Sequence, residues 1–252
     1  MEDILQTHTG DTGIFTMTIN RPEKRNAVNF QVISRLREVL AYAAKAEEVK
    51  LIVIRGAGER AFCSGGDLHE FHSLTTSQEA EVMLSEMGRV LYELATIEKP
   101  TFAYINGMAV GGGCEIASAC DVRIARSHAK FGFIQANQGI TTGWGGGTLL
   151  AEKLNPSEAV QLLMSGNIYT AEEGVRIGFI SGIVENDSGF SEYIDSFGSK
   201  SSEVLKSYKR ILIEKWKKGR LKARMEEEIR MCSILWESEE HLSAVRRFNS
   251  RA

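Results

Sequence analysis

Ile105-Asn106-Gly107-Met108-Ala109-Val110-Gly111-Gly112-Gly113-Cys114-Glu115-Ile116-Ala117-Ser118-Ala119-Cys120-Asp121 is the stretch whose reading decides the fold. Thr101 to Ile105, preceded by Pro100, is short and apolar and reads as a buried strand. Ile116, Ala117 and Ala119 continue as a small-residue helix. Consecutive glycines, Gly111 to Gly113, therefore stand where a strand gives way to a helix. Glycine permits backbone conformations and close approaches that a side chain would block. The first N–H groups of a helix have no intrahelical partner and carry the positive end of its dipole. In a turn without side chains, such groups hold an anion, or an oxygen that becomes negative during a reaction. Glu115 follows at once, so the stretch pairs hydrogen-bond donors with a carboxylate. That pairing points to chemistry.

On the N-terminal side, Ile4–Thr9 and Gly13–Ile19 predict a hairpin, with Phe15, Met17 and Ile19 alternating against Thr16 and Thr18. A polar loop, residues 20–26, leads to a helix striped by Val32, Ile33, Leu36, Val39, Leu40 and Ala43. Leu51–Arg55 is an apolar strand, and a second glycine turn follows at Ala61-Phe62-Cys63-Ser64-Gly65-Gly66-Asp67-Leu68. Another amphipathic helix passes through Met83, Leu84, Met87, Val90, Leu91 and Leu94. Beyond the glycine triplet come short strands at Val122–Ala125 and from Lys130 to Phe133. A third glycine cluster, Gly139 to Gly147, opens a helix around Thr148–Leu154. Helices are expected at Ser157–Ser165 and from Thr170 to Gly178, then a strand at Ile180–Val184. From Ser201 onward the pattern is helical and more charged. Alternating strands and helices followed by helices alone predict an α/β core, residues 1–195, and a helical C-terminal part, residues 196–252.

The 252 residues suffice for one large domain, and 43% hydrophobic with 25% charged residues is the balance of a globular chain. A net charge of −3 gives no electrostatic reason to expect nucleic acid or a membrane surface as partner. The start at Met1-Glu2-Asp3 shows no basic, apolar leader, and Cys63, Cys114, Cys120 and Cys232 lack metal-binding spacing. A reduced, cytoplasmic protein without a metal is expected.

The glycine blocks resemble, in order, those of the crotonase (enoyl-CoA hydratase/isomerase) superfamily. The blocks are Asn20-Arg21-Pro22 with Asn26-Ala27, Ala61 to Leu68, Asn106 to Asp121, and Gly139 to Gly147, followed by Thr170-Ala171-Glu172-Glu173 with Gly178. The resemblance spans nearly the whole chain. It implies the crotonase fold, an α/β core of repeated ββα units with a helical C-terminal trimerisation region, and a homotrimer or dimer of trimers. It also implies an acyl-CoA thioester as substrate, with no further cofactor. Carried over, it makes the N–H groups of Ser64 and Gly112 an oxyanion hole, and it places Lys24 and Arg25 near the CoA phosphates or adenine. Ala27, Ala61, Gly65, Gly66, Asp67, Leu68, Met108, Gly111, Thr142 and Trp144 complete the implied binding residues. Trp144 is expected to line the acyl pocket or pack in the core.

Hydratases of this family use two glutamates. Glu115 matches the first, but Gln135 stands at the second, and residues 133–138 contain no acid. An amide cannot act as a general base at neutral pH. Decarboxylation of a malonyl-type thioester tolerates the loss, because CO₂ leaves without any base removing a proton. Gln135, Asn137 or Thr142 would then hydrogen-bond the substrate's carboxylate. Phe62 to Leu68 with Ser73-Leu74, Gly143-Trp144-Gly145-Gly146, and Leu235-Trp236 with Leu242 and Phe248-Asn249 are similar to ethylmalonyl-CoA decarboxylase-like members. The alternatives are hydration or isomerisation by Glu115 alone, and a non-catalytic CoA-binding scaffold. Glu115 either protonates the enolate or satisfies loop N–H groups.

Other signals are weaker. His69 and His72 form a two-residue pattern that is insufficient for a metal. Cys114 has no histidine in its block to activate it. The basic run Lys215–Arg224 reads as a solvated helix face with a second use in phosphate binding.

Overall fold

The computed structural model describes residues 3–71 and 73–249; His72, half of the histidine pattern above, lies outside the described residues. Among the described residues, ten strands form two sheets. They are β1 (Leu5–Thr9), β2 (Ile14–Ile19), β3 (Leu51–Gly56), β4 (Ala61–Cys63), β5 (Thr101–Ile105), β6 (Met108–Val110), β7 (Val122–Arg126), β8 (Lys130–Gly132), β9 (Tyr169–Thr170) and β10 (Gly182–Val184). The larger sheet runs β1-β2-β3-β5-β7-β10 and the smaller β4-β6-β8-β9. Along β3–β4, β5–β6 and β7–β8, the first strand joins the large sheet and the second the small one. This is the repeated ββα unit that the resemblance implies.

The large sheet is parallel apart from the β1–β2 hairpin, where Leu5 pairs with Ile19 and Thr9 with Phe15. Its inner strands are apolar on both faces: Leu51 to Ile54 and all of β5 are buried. Such continuous apolar runs suit a parallel sheet covered on both sides. One face meets α1 (Phe30–Lys45), whose predicted stripe is buried, α2 (Leu68–Phe71) and α3 (Ser77–Thr96). Asn29 caps α1 through Val32 N–H, and Thr76 with Glu79 forms a capping box on α3. The glycine triplet opens α4 (Gly112–Ala119), buried along its whole length.

Next come α5 (Gly146–Ala151), α6 (Pro156–Ser165), α7 (Ala171–Ile177) and α8 (Asp187–Gly198). The expected division at residue 195 falls inside α8. That helix covers the second face of the sheet, with Phe190 stacked on Tyr104 at 4.0 Å and Ile194 in the same cluster as Val53 and Phe102. The C-terminal helices α9 (Ser202–Lys218), α10 (Leu221–Trp236) and α11 (Glu239–Asn249) follow. They are not an appendage. Helix α10 buries Leu221, Met225, Ile229, Cys232 and Trp236, and Ile229 presses on Gly88 of α3. The cysteines are buried and unbridged: the Cys114 thiol donates to the Ala109 carbonyl at 3.1 Å, and burial pushes its proton affinity up. Among the described residues, no helix is long and apolar enough to cross a membrane, and no cluster of His, Cys, Asp or Glu is arranged to hold a metal.

Candidate active site

Three glycine turns and one C-terminal helix meet around a cavity of about 380 Å³. Its exposed part carries Glu23, Lys24 and Arg25, Asp67 and His69 also line it, and its apolar walls include Phe71, Leu84, Ile134 and Trp144. Glu115 and Gln135 lie at the buried end, 2% and 7% exposed. The structure brings most of the predicted residues to this cavity: Lys24, Arg25, Ala27, Ser64, Gly65, Gly66, Asp67, Leu68, Gly111, Gly112, Glu115, Gln135 and Trp144.

Three of the predicted residues do not line it. Ala61 is buried in β4, where its carbonyl accepts from the Asn26 side chain at 2.7 Å. Met108 opens β6 with its side chain 40% exposed. Thr142 turns its hydroxyl away to Glu228, and Asn137 donates to the Gly166 carbonyl at 2.7 Å. Thr142 and Asn137 are thus committed to other partners, and among the proposed carboxylate-binding amides and hydroxyls only Gln135 faces the cavity. In the basic run, Lys215 and Arg224 pair with Glu152.

The two expected oxyanion donors differ. Gly112 is the first residue of α4, so its N–H has no intrahelical acceptor. It must also be glycine for a packing reason, since a Cβ there would run into the Trp144 ring. Ser64 N–H, by contrast, donates to the Arg25 carbonyl at 3.1 Å. Of the two expected donors, one heads a helix and the other is engaged by the Arg25 carbonyl. The engaging loop is held under strain: Arg25 and Asn26 both adopt positive φ, 51° and 56°. Asn26 is the clamp. Its amide donates to the Ala57 and Ala61 carbonyls, and its Oδ1 accepts from Arg21 N–H.

Glu115 is gripped by the third glycine turn. Its Oε2 accepts from Trp144 N–H at 2.8 Å and Gly146 N–H at 3.0 Å, and its Oε1 from Gly143 N–H at 3.3 Å and Gln135 Nε2 at 3.0 Å. A Cβ on Gly146 would strike the Glu115 side chain, so the loop approaches this closely only as glycine. Burial, then the nearby negative charge of Glu228, pushes the Glu115 carboxyl up to about 8, outweighing the N–H bonds that pull it down. A group poised there exchanges a proton near neutral pH. Gln135 Oε1 is buried without a hydrogen-bond partner, leaving one acceptor of the amide open beside Glu115.

Glu228 and Cys232 escaped sequence reasoning, which read the C-terminal helices as a charged region. The signal was present. Cys232 lies on the apolar stripe of α10 and lines the cavity, and Glu228 precedes it by four residues, one helical turn, on the same face.

A family model described as "Enoyl-CoA hydratase/isomerase" matches residues 9–251. The short-chain-enoyl-CoA hydratase of Clostridium acetobutylicum is 36% identical over 172 residues, 68% of this chain and 66% of the relative. The crotonyl-CoA hydratase of Syntrophomonas wolfei is 36% identical over 168 residues, 66% of this chain and 64% of the relative. These alignments span just under two thirds of each relative's length. Among solved structures, an enoyl-CoA hydratase from Bacillus halodurans superimposes with a TM-score of 0.88 over 97% of this chain and 100% of its own, at 24% identity, which establishes the fold. The chain belongs to the enoyl-CoA hydratase/isomerase family.

Proposed function

We propose that this protein binds acyl-CoA thioesters and decarboxylates a malonyl-type CoA ester. The observation that carries the reading is Gln135: at the buried end of the cavity, a neutral amide rather than a second carboxylate sits 3.0 Å from Glu115. Of the remaining acids of the lining, Glu23 is exposed and Asp67 is already paired with Arg21.

In this reading Lys24 and Arg25 attract the CoA phosphates at the exposed rim. The thioester oxygen takes the N–H of Gly112 and shares or displaces the Arg25 carbonyl at Ser64 N–H. The bond from Cα to the carboxylate breaks, CO₂ leaves, and the electron pair passes into the thioester as an enolate held by those donors. Each such donor is worth about 10²–10³ in rate. Glu115, protonated below about 8, gives its proton to Cα and regains one from solvent. A neutral Gln135 spares the departing carboxylate a like charge, and turning its amide presents NH₂ to that carboxylate.

A second reading, hydration by Glu115 alone, is favoured by the hydratase names of both relatives. The test offers the purified protein crotonyl-CoA and, separately, methylmalonyl- and ethylmalonyl-CoA. Propionyl- or butyryl-CoA by mass spectrometry, with the enoyl absorbance of crotonyl-CoA unchanged, is the expected result. Loss of the enoyl absorbance without decarboxylated product overturns it in favour of hydration. Binding of all esters with neither reaction leaves a CoA-binding scaffold.

A further inference from the structure

Helix α10 sends a carboxylate to the rear of the loop that holds Glu115. Glu228 Oε1 accepts from the Thr142 hydroxyl at 2.5 Å and Gly147 N–H at 3.0 Å, and Oε2 from Thr148 N–H at 2.6 Å. Together with the bonds to Glu115, every residue from Thr142 to Thr148 except Gly145 donates to one carboxylate or the other. The loop is a sheet of donors clamped between two acids. Glu228 does not line the cavity, so it reaches the substrate only through that loop.

We propose that Glu228 is a positioning residue for Glu115: it holds the rear donors of the loop so that the front donors stay on Glu115. The electrostatic surroundings agree. Burial pushes both carboxyls up, and Glu228 is the second cause for Glu115. No cation is among the leading causes at either group. Other titratable groups around Glu115 are thiols raised by burial: Cys114 on its own helix, Cys232 on α10, and Cys63 of β4 behind Cys114. The packed face of α3 offers Met83, Leu84 and Met87, and α5 carries no charge before its cap, Glu152, which Lys215 and Arg224 neutralise. Two acids that sense each other this closely titrate as a pair, the first proton lost at the cost of the second.

The experiment is a pH titration of the protonated-carboxyl infrared band in the full chain without ligand, with Glu115→Gln assigning the band. In the parent the midpoint is expected near 8. In Glu228→Gln, which keeps the shape and removes the charge, it should fall by about one pH unit. Glu228→Asp keeps the charge and should leave the midpoint within a few tenths of the parent. An unmoved or raised midpoint in Glu228→Gln, or an equal fall in Glu228→Asp, overturns the proposal. If decarboxylation is found, the alkaline fall of its rate should move with the band; that arm rests on the function proposed above. The infrared arm needs no turnover, so failure of the reaction and failure of the positioning role are told apart.

Discussion

Two buried carboxylates face the same cavity and are held in opposite states. Asp67, in the second glycine turn, would be raised by its burial. The Arg21 guanidinium at 2.8 Å and the His69 N–H outweigh that, and its carboxyl sits below the usual range. Glu115, at the deep end, receives four hydrogen bonds and no cation, and it is pushed up to about 8. Neutral dipoles shield a buried charge less well than an opposite charge does. One cavity thus holds an anion fixed by a cation and a carboxyl that retains its proton near neutral pH. Asp67 anchors the loop that carries Ser64; Glu115 remains available for chemistry.

The largest test of this contrast removes the carboxyl proposed above as the proton donor of decarboxylation. Glu115→Gln should cost about 10²–10³-fold in decarboxylation rate, the worth of a positioned acid, with little change in KM. Near-normal turnover would make Glu115 a structural carboxylate. Next, Arg21→Gln strips the cation from Asp67 and leaves a buried, unpaired charge. A loss of about 3 kcal/mol in denaturant unfolding is expected, and Asp67→Asn in the same chain should restore much of it. Full additivity of the two substitutions would show that the pair does not act as one.

These two acids also show how far the sequence could be read. The order of the glycine blocks told the fold, because strand-to-helix turns without side chains constrain where backbones meet. It also placed Glu115 and Asp67 in the cavity wall, since each lies in a block that the backbone brings there. Their opposite states were not legible. Arg21 is distant from Asp67 along the chain, and Glu228 more so from Glu115, and only packing makes either a neighbour. Ser64 N–H is a further case. Its block marks it as a donor, but the Arg25 carbonyl that takes it belongs to a loop with positive φ, and no spacing rule foretells that contact. The same holds for Thr142, whose place beside Gly143 suggested the cavity and whose hydroxyl serves α10.

A smaller effect separates the two acids by pH. Glu115 binds its proton more tightly folded, about 8, than unfolded, 4.5. Between those values the native state holds more protons, so stability falls as pH rises, by up to about 1.4 kcal/mol per unit from this group. Asp67 has the opposite sign: its folded value lies below 3.8, so its contribution is present above that value and is lost as pH falls through the folded one. Unfolding free energies from pH 3 to 9 should therefore differ between variants on separate limbs. Glu115→Gln should flatten the decline between about 4.5 and 8, and Asp67→Asn should flatten only the acid limb.

The smallest expected change is in the chemistry of Asp67→Asn. The amide still accepts from His69 N–H and loses only the charge paired with Arg21. If Asp67 is an anchor, the rate at saturating ester should stay within about threefold of the parent, a free-energy change below about 1 kcal/mol. KM should rise if, as proposed above, the loop that carries Ser64 holds the ester. Stopped-flow single turnovers, which separate binding from the chemical step, would check this. A fall in the single-turnover rate approaching that of Glu115→Gln would erase the distinction between the two acids, placing a second working carboxylate in the cavity and reopening hydration as its chemistry.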